Sequence, residues 1–383
     1  MSGFDTKDFT SWGPRHAAHL VGHAAAEATL LEAWSSGRLP HAWMITGPRG
    51  VGKATLAFRF ARFLLVNGIA GTAADDGPSL FGDPPPLPKS LHVAEEHPVF
   101  HRVASFGHAD LITVERSWDD KNDRWRGEIV VPDVRAVIER FGKTAAEGGY
   151  RVCIVDAADD MNTNAANALL KILEEPPPNA VLLLISHAPG SLLPTIRSRC
   201  RRLALQPLED GAMRQALHGL LPDLSDAERH GLVVAAEGSP GRAMALGAQG
   251  GLDLLRELLD LIAGLPKPDG QKLHGLGDKL GRASGAESFR VMIDLFRWWL
   301  ARLVRAAAAG KVGGGAWSEL FQGEAALAAR LASWQAPDRW AEDWESIGRL
   351  LDRGESVNLD RKQLLLNLFA ILGRAAEAAT ARR

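Results

Sequence analysis

One short segment restricts the fold of this chain more than any other, the run from Gly47 to Lys53, which reads Gly-Pro-Arg-Gly-Val-Gly-Lys. An apolar run, His41 to Thr46, precedes it and predicts a short buried strand. Apolar residues at helical spacing follow it from Ala54 to Leu65. Glycines at these positions let backbone N–H groups turn toward an anion, and Lys53 can reach terminal phosphates. The segment therefore predicts a phosphate loop between a strand and a helix.

The residue after the lysine departs from that motif. A Ser or Thr hydroxyl at this position normally binds Mg²⁺, but here the residue is Ala54. Thr55 comes one residue later and is rotated by about 100° around the helix, so it is a poor substitute. Two interpretations stay open at this point. Either the loop binds a nucleotide, or it is retained only for packing between strand and helix.

Further apolar runs alternate with helical patterns as far as Pro207. Their strands are apolar on both faces, as in a parallel sheet, and predict an α/β fold over residues 1–207. The predicted strands lie at 111–114, 151–156, 181–185 and 202–205. Residues 67–108 interrupt this alternation with glycines and consecutive prolines, and we interpret them as an insertion or long loop.

Beyond Pro207 the strand signals disappear and helical patterns take over. Residues 208–248 predict short helices, and a Gly-rich junction separates them from a longer helical region, 249–383. A length of 383 residues, at about 150 per domain, indicates two to three domains. We therefore predict three parts, namely an α/β domain (1–207), a small helical domain (208–248) and an all-α domain (249–383).

Composition excludes several classes of protein. The chain has 44 Lys and Arg against 46 Asp and Glu, a net charge of −2, which argues against a protein that coats DNA by itself. Two cysteines exclude a disulfide scaffold and a four-cysteine zinc site. No run approaches 18 uncharged apolar residues, and the polar start does not resemble a signal peptide. We expect a soluble, cytoplasmic protein with no membrane partner.

Histidines cluster in the Pro-rich segment, but we expect no metal site there. His92, His97, His101 and His108 follow one another at spacings of five, four and seven. No thiolate or carboxylate completes a recognisable ligand spacing with them. A Pro- and His-rich loop is the plainer interpretation, and zinc is not expected.

A single acid ends the apolar strand that starts at Arg151. Asp156 lies where an ATPase places its metal-directing carboxylate, but the next residue is Ala157. A hydrolytic enzyme normally needs a neighbouring group that orients the attacking water. Together with Ala54, this pattern predicts an ATPase-like frame with incomplete catalytic groups.

Two further motifs follow in order, Glu174-Glu175-Pro176-Pro177 at the end of a predicted helix and Ser198-Arg199-Cys200 later in the chain. From the residues alone, Arg199 belongs to a basic cluster whose plain interpretation is a solvated edge. That cluster contains Arg197, Arg199, Arg201 and Arg202.

These motifs, with the phosphate loop and Asp156, resemble the clamp-loader branch of the AAA+ ATPases. Asp156-Ala157-Ala158, where motor subunits have Asp-Glu, resembles the delta-prime type of bacterial DNA polymerase III subunit. The likeness extends from about His19 to Arg242 and covers the helical remainder only by length and position. It implies an AAA+ domain with a parallel sheet, a helical lid domain and an all-α collar domain. The four-cysteine zinc module of many relatives is missing.

The resemblance also implies roles for individual residues. Arg199 would act as an arginine finger, projecting toward ATP held by a neighbouring subunit. Ser186 takes the place of a polar residue at a strand end. Arg242 takes the place of an arginine that faces the nucleotide in the family. An ordinary role as a surface arginine is an equal alternative for Arg242. The residues that would contact ATP or ADP, with Mg²⁺ left open, are Gly47, Pro48, Arg49, Gly50, Val51, Gly52, Lys53, Ala54, Thr55, Asp156, Ser186 and Arg242.

The function implied is that of a non-motor subunit in a hetero-oligomeric ring with gamma/tau-type and delta-type subunits. Such a ring loads a sliding clamp onto primer–template DNA during replication. One alternative is an AAA+ ATPase that hydrolyses ATP itself, as a motor subunit or a related remodeller. Another is a nucleotide-dependent phosphotransferase, for which no residue after the loop offers a substrate base.

Overall fold

The computed structural model describes residues 13–69, 87–119, 124–141, 145–147, 149–312, 317–356 and 359–381. The chain divides into two compact units, Met1–Leu208 and Glu209–Arg383. The further boundary near residue 248, which separates a lid from a collar in the expected division, stays a prediction.

A five-stranded parallel sheet forms the centre of the first unit, in the order β2-β5-β6-β1-β7. A separate antiparallel hairpin pairs β3 with β4. The strands are β1 (Ala42–Thr46), β2 (Leu111–Val114), β3 (Trp118–Asp119), β4 (Arg124–Trp125), β5 (Arg151–Val155), β6 (Ala180–Ser186) and β7 (Arg201–Ala204). Every residue of β1, β5 and β6 is buried, because these strands lie inside the sheet with helices on both faces.

Helices cover both faces of this sheet. One face packs against apolar residues of α1, α2 and α3, and the other against those of α4, α5 and α6. These helices are α1 (Ala24–Ser35), α2 (Lys53–Asn67), α3 (Pro98–Ala104), α4 (Val131–Phe141), α5 (Thr163–Glu174) and α6 (Pro194–Arg199). The α/β architecture with a parallel sheet, predicted from alternating apolar runs, is confirmed.

The segment 67–108 is not loop throughout. Helix α3 forms within it, so the loop interpretation is wrong for Pro98–Ala104. The local cause is helix capping, because Nδ1 of His97 accepts the Val99 N–H at 3.1 Å and Pro98 occupies the first turn. Residues 83–86 of the proline run lie outside the described residues. The charged stretch 117–126 contains the β3–β4 hairpin.

The second unit is helical over its described residues, as the sequence predicts. Its helices are α7 (Asp210–Leu220), α8 (Asp226–Ala236), α9 (Pro240–Ala248), α10 (Gly251–Ala263), α11 (Gly270–Gly281), α12 (Ala286–Ala308), α13 (Glu324–Ala332), α14 (Pro337–Ser356) and α15 (Arg361–Ala381). A buried carboxylate, Glu324, ties three parts of the unit together. It accepts Trp299 Nε1–H at 2.5 Å and the Leu320 N–H at 2.6 Å, and it lies 3.3 Å from Arg302 Nη1.

One described helix, α15, is long and apolar enough to span a membrane when judged by length and composition. Its mean hydropathy is 1.4, and 39% of the apolar window is buried inside the protein. Core helices of soluble proteins meet the same criterion, so this is weak evidence for a span. Here Leu364, Leu368 and Leu372 are buried in the helical unit.

Candidate functional site

The segment Gly47–Lys53 joins the end of β1 to the start of α2. Gly47, Gly50 and Gly52 have φ values of 147°, 74° and 109°, which side-chain-bearing residues rarely adopt. A Cβ atom on Gly47 would lie 2.4 Å from the carbonyl oxygen of Leu205, which follows β7. The loop is therefore a tight backbone turn at the carboxyl edge of the sheet, with Pro48, Arg49 and Gly50 exposed.

Lys53 is turned back onto the loop itself. Its Nζ donates to the carbonyl oxygens of Gly47 at 2.8 Å and Pro48 at 2.5 Å, and the residue is 3% exposed. Burial lowers the pKa of Lys53 to about 8, while the carboxylates of Asp156 and Asp159 act in the opposite direction. Two of the three ammonium N–H groups thus donate to loop carbonyls.

The loop backbone fits an anion better than the neighbouring side chains fit a metal ion. Its N–H groups and the α2 N-terminus suit phosphate oxygens. Ala54 has no oxygen to offer Mg²⁺, and Thr55 is the next residue on α2. Val51 is buried, and its carbonyl oxygen lies 2.8 Å from His23 Nε2. This contact fixes the loop against the segment that precedes α1.

Three adjacent strands bring the remaining predicted residues to the same edge. In the sheet, β1 lies beside β6 and β6 beside β5, and all run parallel. Thr46, just before the loop, is paired in register with Ser186, and Asp156 directly follows β5. Ligands of open α/β sheets bind at this carboxyl edge. The structure therefore brings together the loop, Asp156 and Ser186.

Asp156 lies among charges of both signs, of which the sequence did not indicate Glu115. Burial raises the pKa of Asp156 to about 6, and the charges of Glu115 and Asp160 add to this effect. Glu115 directly follows β2 and pairs with Arg15 at 2.9 Å, and burial raises its pKa as well. Glu115 could have been found by its place after a strand, the same signal that singled out Asp156. Its pairing with Arg15 makes it an unsuitable group to orient water.

Ser186 is held by an aspartate from the turn after β5. Its Oγ donates to Asp159 Oδ1 at 2.8 Å. The same carboxylate accepts the His187 N–H at 2.5 Å and the Ala188 N–H at 3.2 Å. Burial, with the nearby Lys53 and Arg49, lowers the pKa of His187 to about 4, so its ring is neutral. The end of β6 is thereby fixed against the turn that carries Asp159.

Arg199 is the last residue of α6 and is partly exposed. Its Nη2 lies 2.9 Å from Glu174 Oε1 at the end of α5, and its Nη1 donates to the Thr195 carbonyl oxygen at 3.0 Å. The two motifs recognised separately in the sequence, Glu-Glu-Pro-Pro and Ser-Arg-Cys, thus meet in one ion pair.

The other arginines of the basic cluster have different surroundings. The guanidinium of Arg201 lies over the Trp43 ring at 5.0 Å, and Arg202 Nε donates to Thr46 Oγ1 at 3.3 Å. Both are therefore tied to β1, whereas Arg197 is exposed on α6. Arg197, Arg201 and Arg202 are nevertheless exposed, as expected of a solvated basic edge.

Arg242 belongs to the second unit, in the first turn of α9 after Pro240. Its backbone N–H donates to the capping hydroxyl of Ser239 at 3.2 Å. Its guanidinium lies 3.7 Å from Glu237 and 5.6 Å from the centre of the Trp298 ring. Burial lowers the pKa of Arg242, and the charge of Glu237 opposes this. Its role toward a nucleotide stays a prediction.

The region that matches a family model contains Asp156, Ser186 and Arg199 but neither the phosphate loop nor Arg242. Residues 89–209 match the family model described as DNA polymerase III, delta subunit. DNA polymerase III subunit delta' of Pseudomonas aeruginosa is 35% identical over 55% of this chain and 56% of its own length. DNA polymerase III subunit gamma/tau of Mycobacterium bovis is 30% identical over 67% of this chain and 39% of its own length. The chain thus spans about half or less of these relatives.

Among solved structures, a DNA polymerase III gamma subunit-related protein from Thermotoga maritima aligns with 91% of this chain and 99% of its own. Its TM-score is 0.43 at 16% sequence identity, a likeness too low to bear on function. The relatives matched by sequence include both delta' and gamma/tau subunits, which agrees with the resemblance found in the motifs. Over its matched α/β region, this chain is therefore similar to the delta' and gamma/tau subunits of DNA polymerase III.

Proposed function

We propose that the chain is a delta-prime-type subunit of a DNA polymerase III clamp loader, which does not hydrolyse ATP efficiently and supplies Arg199 to a neighbouring subunit. The observation that carries the proposal is a phosphate loop without a magnesium hydroxyl, in the same unit as a partly exposed arginine. Lys53 is bonded to its own loop, and Ala54 and Ala157 replace two groups that hydrolysis normally uses.

Arg199 suits a role in trans because its planar guanidinium is always charged and can compensate charge on a γ-phosphate. The proposed partners are gamma/tau-type and delta-type subunits in a ring, the sliding clamp and primer–template DNA, all in the cytoplasm. The near-zero net charge of the chain suits DNA handling that is shared among subunits. ATP or ADP would bind at the loop backbone, and Ala54 leaves any Mg²⁺ without its usual protein ligand.

An active ATPase is the second candidate, because Asp156 lies close enough to Lys53 for their charges to interact, as in a nucleotide site. Measuring ATP binding and turnover on the isolated chain separates the two. We expect turnover far below one per second with Mg²⁺ present, since typical active enzymes reach about 1 s⁻¹ or more. Magnesium-dependent turnover near one per second would contradict the non-motor proposal.

The finger is tested with Arg199→Ala in the reconstituted ring. We expect DNA-stimulated ATPase activity to fall by about 10³-fold at a site that depends on this arginine, without unfolding of the subunit. Arg197→Ala is the matched control, because Arg197 is an exposed arginine on the same helix. Equal activities for the two variants would remove the finger assignment.

A further inference from the structure

Charged and aromatic side chains join the two parts that the sequence predicts for the helical unit, which are called here the lid segment (208–248) and the collar segment (249–383). Helices α7, α8 and α9 belong to the lid segment, and α10 to α15 belong to the collar segment. The chain divides between Leu208 and Glu209, which puts the helices of both segments into one compact unit. The contacts between the segments therefore decide whether the boundary near residue 248 is a hinge.

Arg242, in the first turn of α9, lies against the side of α12. Its guanidinium is 5.6 Å from the centre of the Trp298 ring, a distance typical of a cation–π contact. Burial lowers the pKa of Arg242, and the charges of Glu237 and Asp294 act in the opposite direction. Asp294 and Trp298 are four residues apart on α12 and so share one face of that helix. Arg242 therefore reaches from the lid segment to this face of α12.

Glu237 pairs with arginines from both segments. Its Oε2 lies 3.7 Å from Arg242 Nη1, and its Oε1 lies 4.0 Å from Nη2 of Arg305 on α12. Glu237 follows α8 with a φ of 47°, a left-handed backbone conformation that favours glycine at the end of a helix. The carboxylate thus bridges α9 and α12 from a position where glycine would adopt the backbone conformation more easily.

The Trp298 ring is itself supported within the collar segment. The guanidinium of Arg302, one turn further along α12, lies 5.6 Å from the centre of this ring and 3.9 Å from that of Trp317. Nη1 of Arg302 lies 3.3 Å from Oε1 of Glu324, whose side chain is buried. A ring that is already held by neighbours loses little further freedom when Arg242 packs on it. Contacts therefore run from Glu324 through Arg302 and Trp298 to Arg242.

A second set of contacts joins α8 to the collar segment at a different place. A Cβ atom on Gly231 of α8 would lie 2.8 Å from the Leu320 carbonyl oxygen and 2.8 Å from Leu252 Cδ1. The neighbouring His230 donates from Nε2 to the Glu319 carbonyl oxygen at 3.1 Å. Contacts at two separate places oppose rotation of the lid segment about either one of them.

We propose that Arg242 connects the lid segment to the collar segment, and that its contacts with Trp298 and Glu237 make the two segments move as one body. A guanidinium suits this role because it offers a flat face to the ring and N–H groups to the carboxylate. The boundary near residue 248 is then a connection within one body and not a hinge. This role differs from both roles that the sequence left open for Arg242, contact with a nucleotide and an ordinary surface arginine. It is independent of the proposed clamp-loader function.

Native-state hydrogen exchange of the full-length chain, followed by mass spectrometry, tests this connection. If the segments form one body, the slowest amides of α9 and α12 should exchange through the same opening and have equal protection factors. Arg242→Gln should lower protection in α8 and α9 by about tenfold, the size expected for a partly desolvated cation–π contact, and leave α12 nearly unchanged. Arg305→Gln is the matched control, because Arg305 reaches the same Glu237 from a side chain that is 69% exposed. It should lower protection by less than about threefold.

A double variant shows whether Arg242 acts through the tryptophan ring. Trp298→Leu should lower the same protection factors as Arg242→Gln, because each variant removes the same contact. Together the two substitutions should cost far less protection than the product of the two single losses. Trp298→Phe keeps an aromatic face and should preserve most of the protection, and it provides the same comparison if Trp298→Leu folds poorly.

Added ADP separates this role from contact with a nucleotide. Protection of α8 and α9 in Arg242→Gln should be reduced equally with and without ADP. Four results would overturn the proposal: lower protection of α9 than of α12 in the wild-type chain, equal losses in the Arg242 and Arg305 variants, independent losses for Arg242→Gln and Trp298→Leu, or a loss that occurs only with ADP. None of these results bears on ATP turnover or on Arg199, which test the proposed function separately.

Discussion

At the residue scale, the surroundings of Arg199 bear most directly on function. The ion pair with Glu174 involves side chains that are 35% and 49% exposed. Exposed pairs of this kind contribute only about 0–1 kcal/mol to folding, because solvent screens them. Glu174 therefore has little value for stability. Its contact instead restricts the rotamers of Arg199, which makes Glu174 a positioning residue for the proposed finger.

Glu174→Gln tests this positioning role in the reconstituted ring. Without this contact, ordering the Arg199 side chain at the neighbouring site should cost about 0.5–1.5 kcal/mol more. DNA-stimulated ATPase activity should therefore fall roughly two- to tenfold. The melting temperature of the subunit should hardly change. Glu175→Gln is the control, since Glu175 is the adjacent exposed glutamate. Combined with Arg199→Ala, Glu174→Gln should have no additional effect, and an additive loss would show that Glu174 acts elsewhere.

At the scale of elements, the phosphate loop depends on close packing between β1 and the end of β7. Leu205 N–H donates to the Thr46 carbonyl oxygen at 2.8 Å, and the Leu205 carbonyl oxygen faces Gly47. A side chain at Gly47 would meet that oxygen at 2.4 Å. The glycine is therefore required by packing as well as by its backbone conformation, whether or not the loop binds phosphate.

Gly47→Ala should destabilise the first unit by about 2–4 kcal/mol, from backbone strain and overpacking together. Gly37→Ala is the control, because Gly37 also has positive φ, at 68°, but nothing within 4 Å of a Cβ atom. Gly37→Ala should lower the free energy of unfolding by only about 1–2 kcal/mol. Urea unfolding followed by tryptophan fluorescence measures both. Equal losses of unfolding free energy in the two variants would mean that the Leu205 contact adds nothing to the cost of a side chain at Gly47.

Elements with a strong local pattern could be predicted, and those fixed by capping or tertiary contacts could not. The sequence predicts β5 and β6 because a strand that is buried on both faces appears as a continuous apolar run. Helix α3 was missed because its seven residues depend on a His97 cap in a segment full of helix breakers. The Asp159–Ser186 and Glu174–Arg199 contacts join residues about 25 positions apart, which spacing alone does not reveal.

At the scale of the whole molecule, one edge of the sheet gathers charges of both signs around Asp156. The sheet brings Glu115 after β2 and Asp156 after β5 to one edge, and Asp160 lies in the following turn. Glu115 and Asp160 both raise the pKa of Asp156, on top of burial. A chain with a net charge of −2 therefore carries a site that is unfavourable for folding when fully ionised.

The contribution of Asp156 to folding stability should consequently fall as pH rises. Asp156 has a usual pKa of 3.8 and a folded-state pKa of about 6, so the folded state binds its proton more tightly. Below pH 3.8 both states are protonated and the site contributes no difference. Between pH 3.8 and about 6 the contribution of Asp156 to stability declines, and above that the full penalty persists.

Asp156→Asn removes this penalty because the amide does not ionise. Relative to wild type, its free energy of unfolding should rise between pH 4 and 6 and then stay higher by on the order of 2 kcal/mol. Urea unfolding at constant ionic strength from pH 4 to 8 measures the difference. Asp260→Asn, at an exposed position of α10, is the matched control. A difference that shrinks with pH would mean that the folded protein stabilises the ionised form of Asp156, as a magnesium-binding ATPase site would, and a constant difference would mean that folding does not change its protonation.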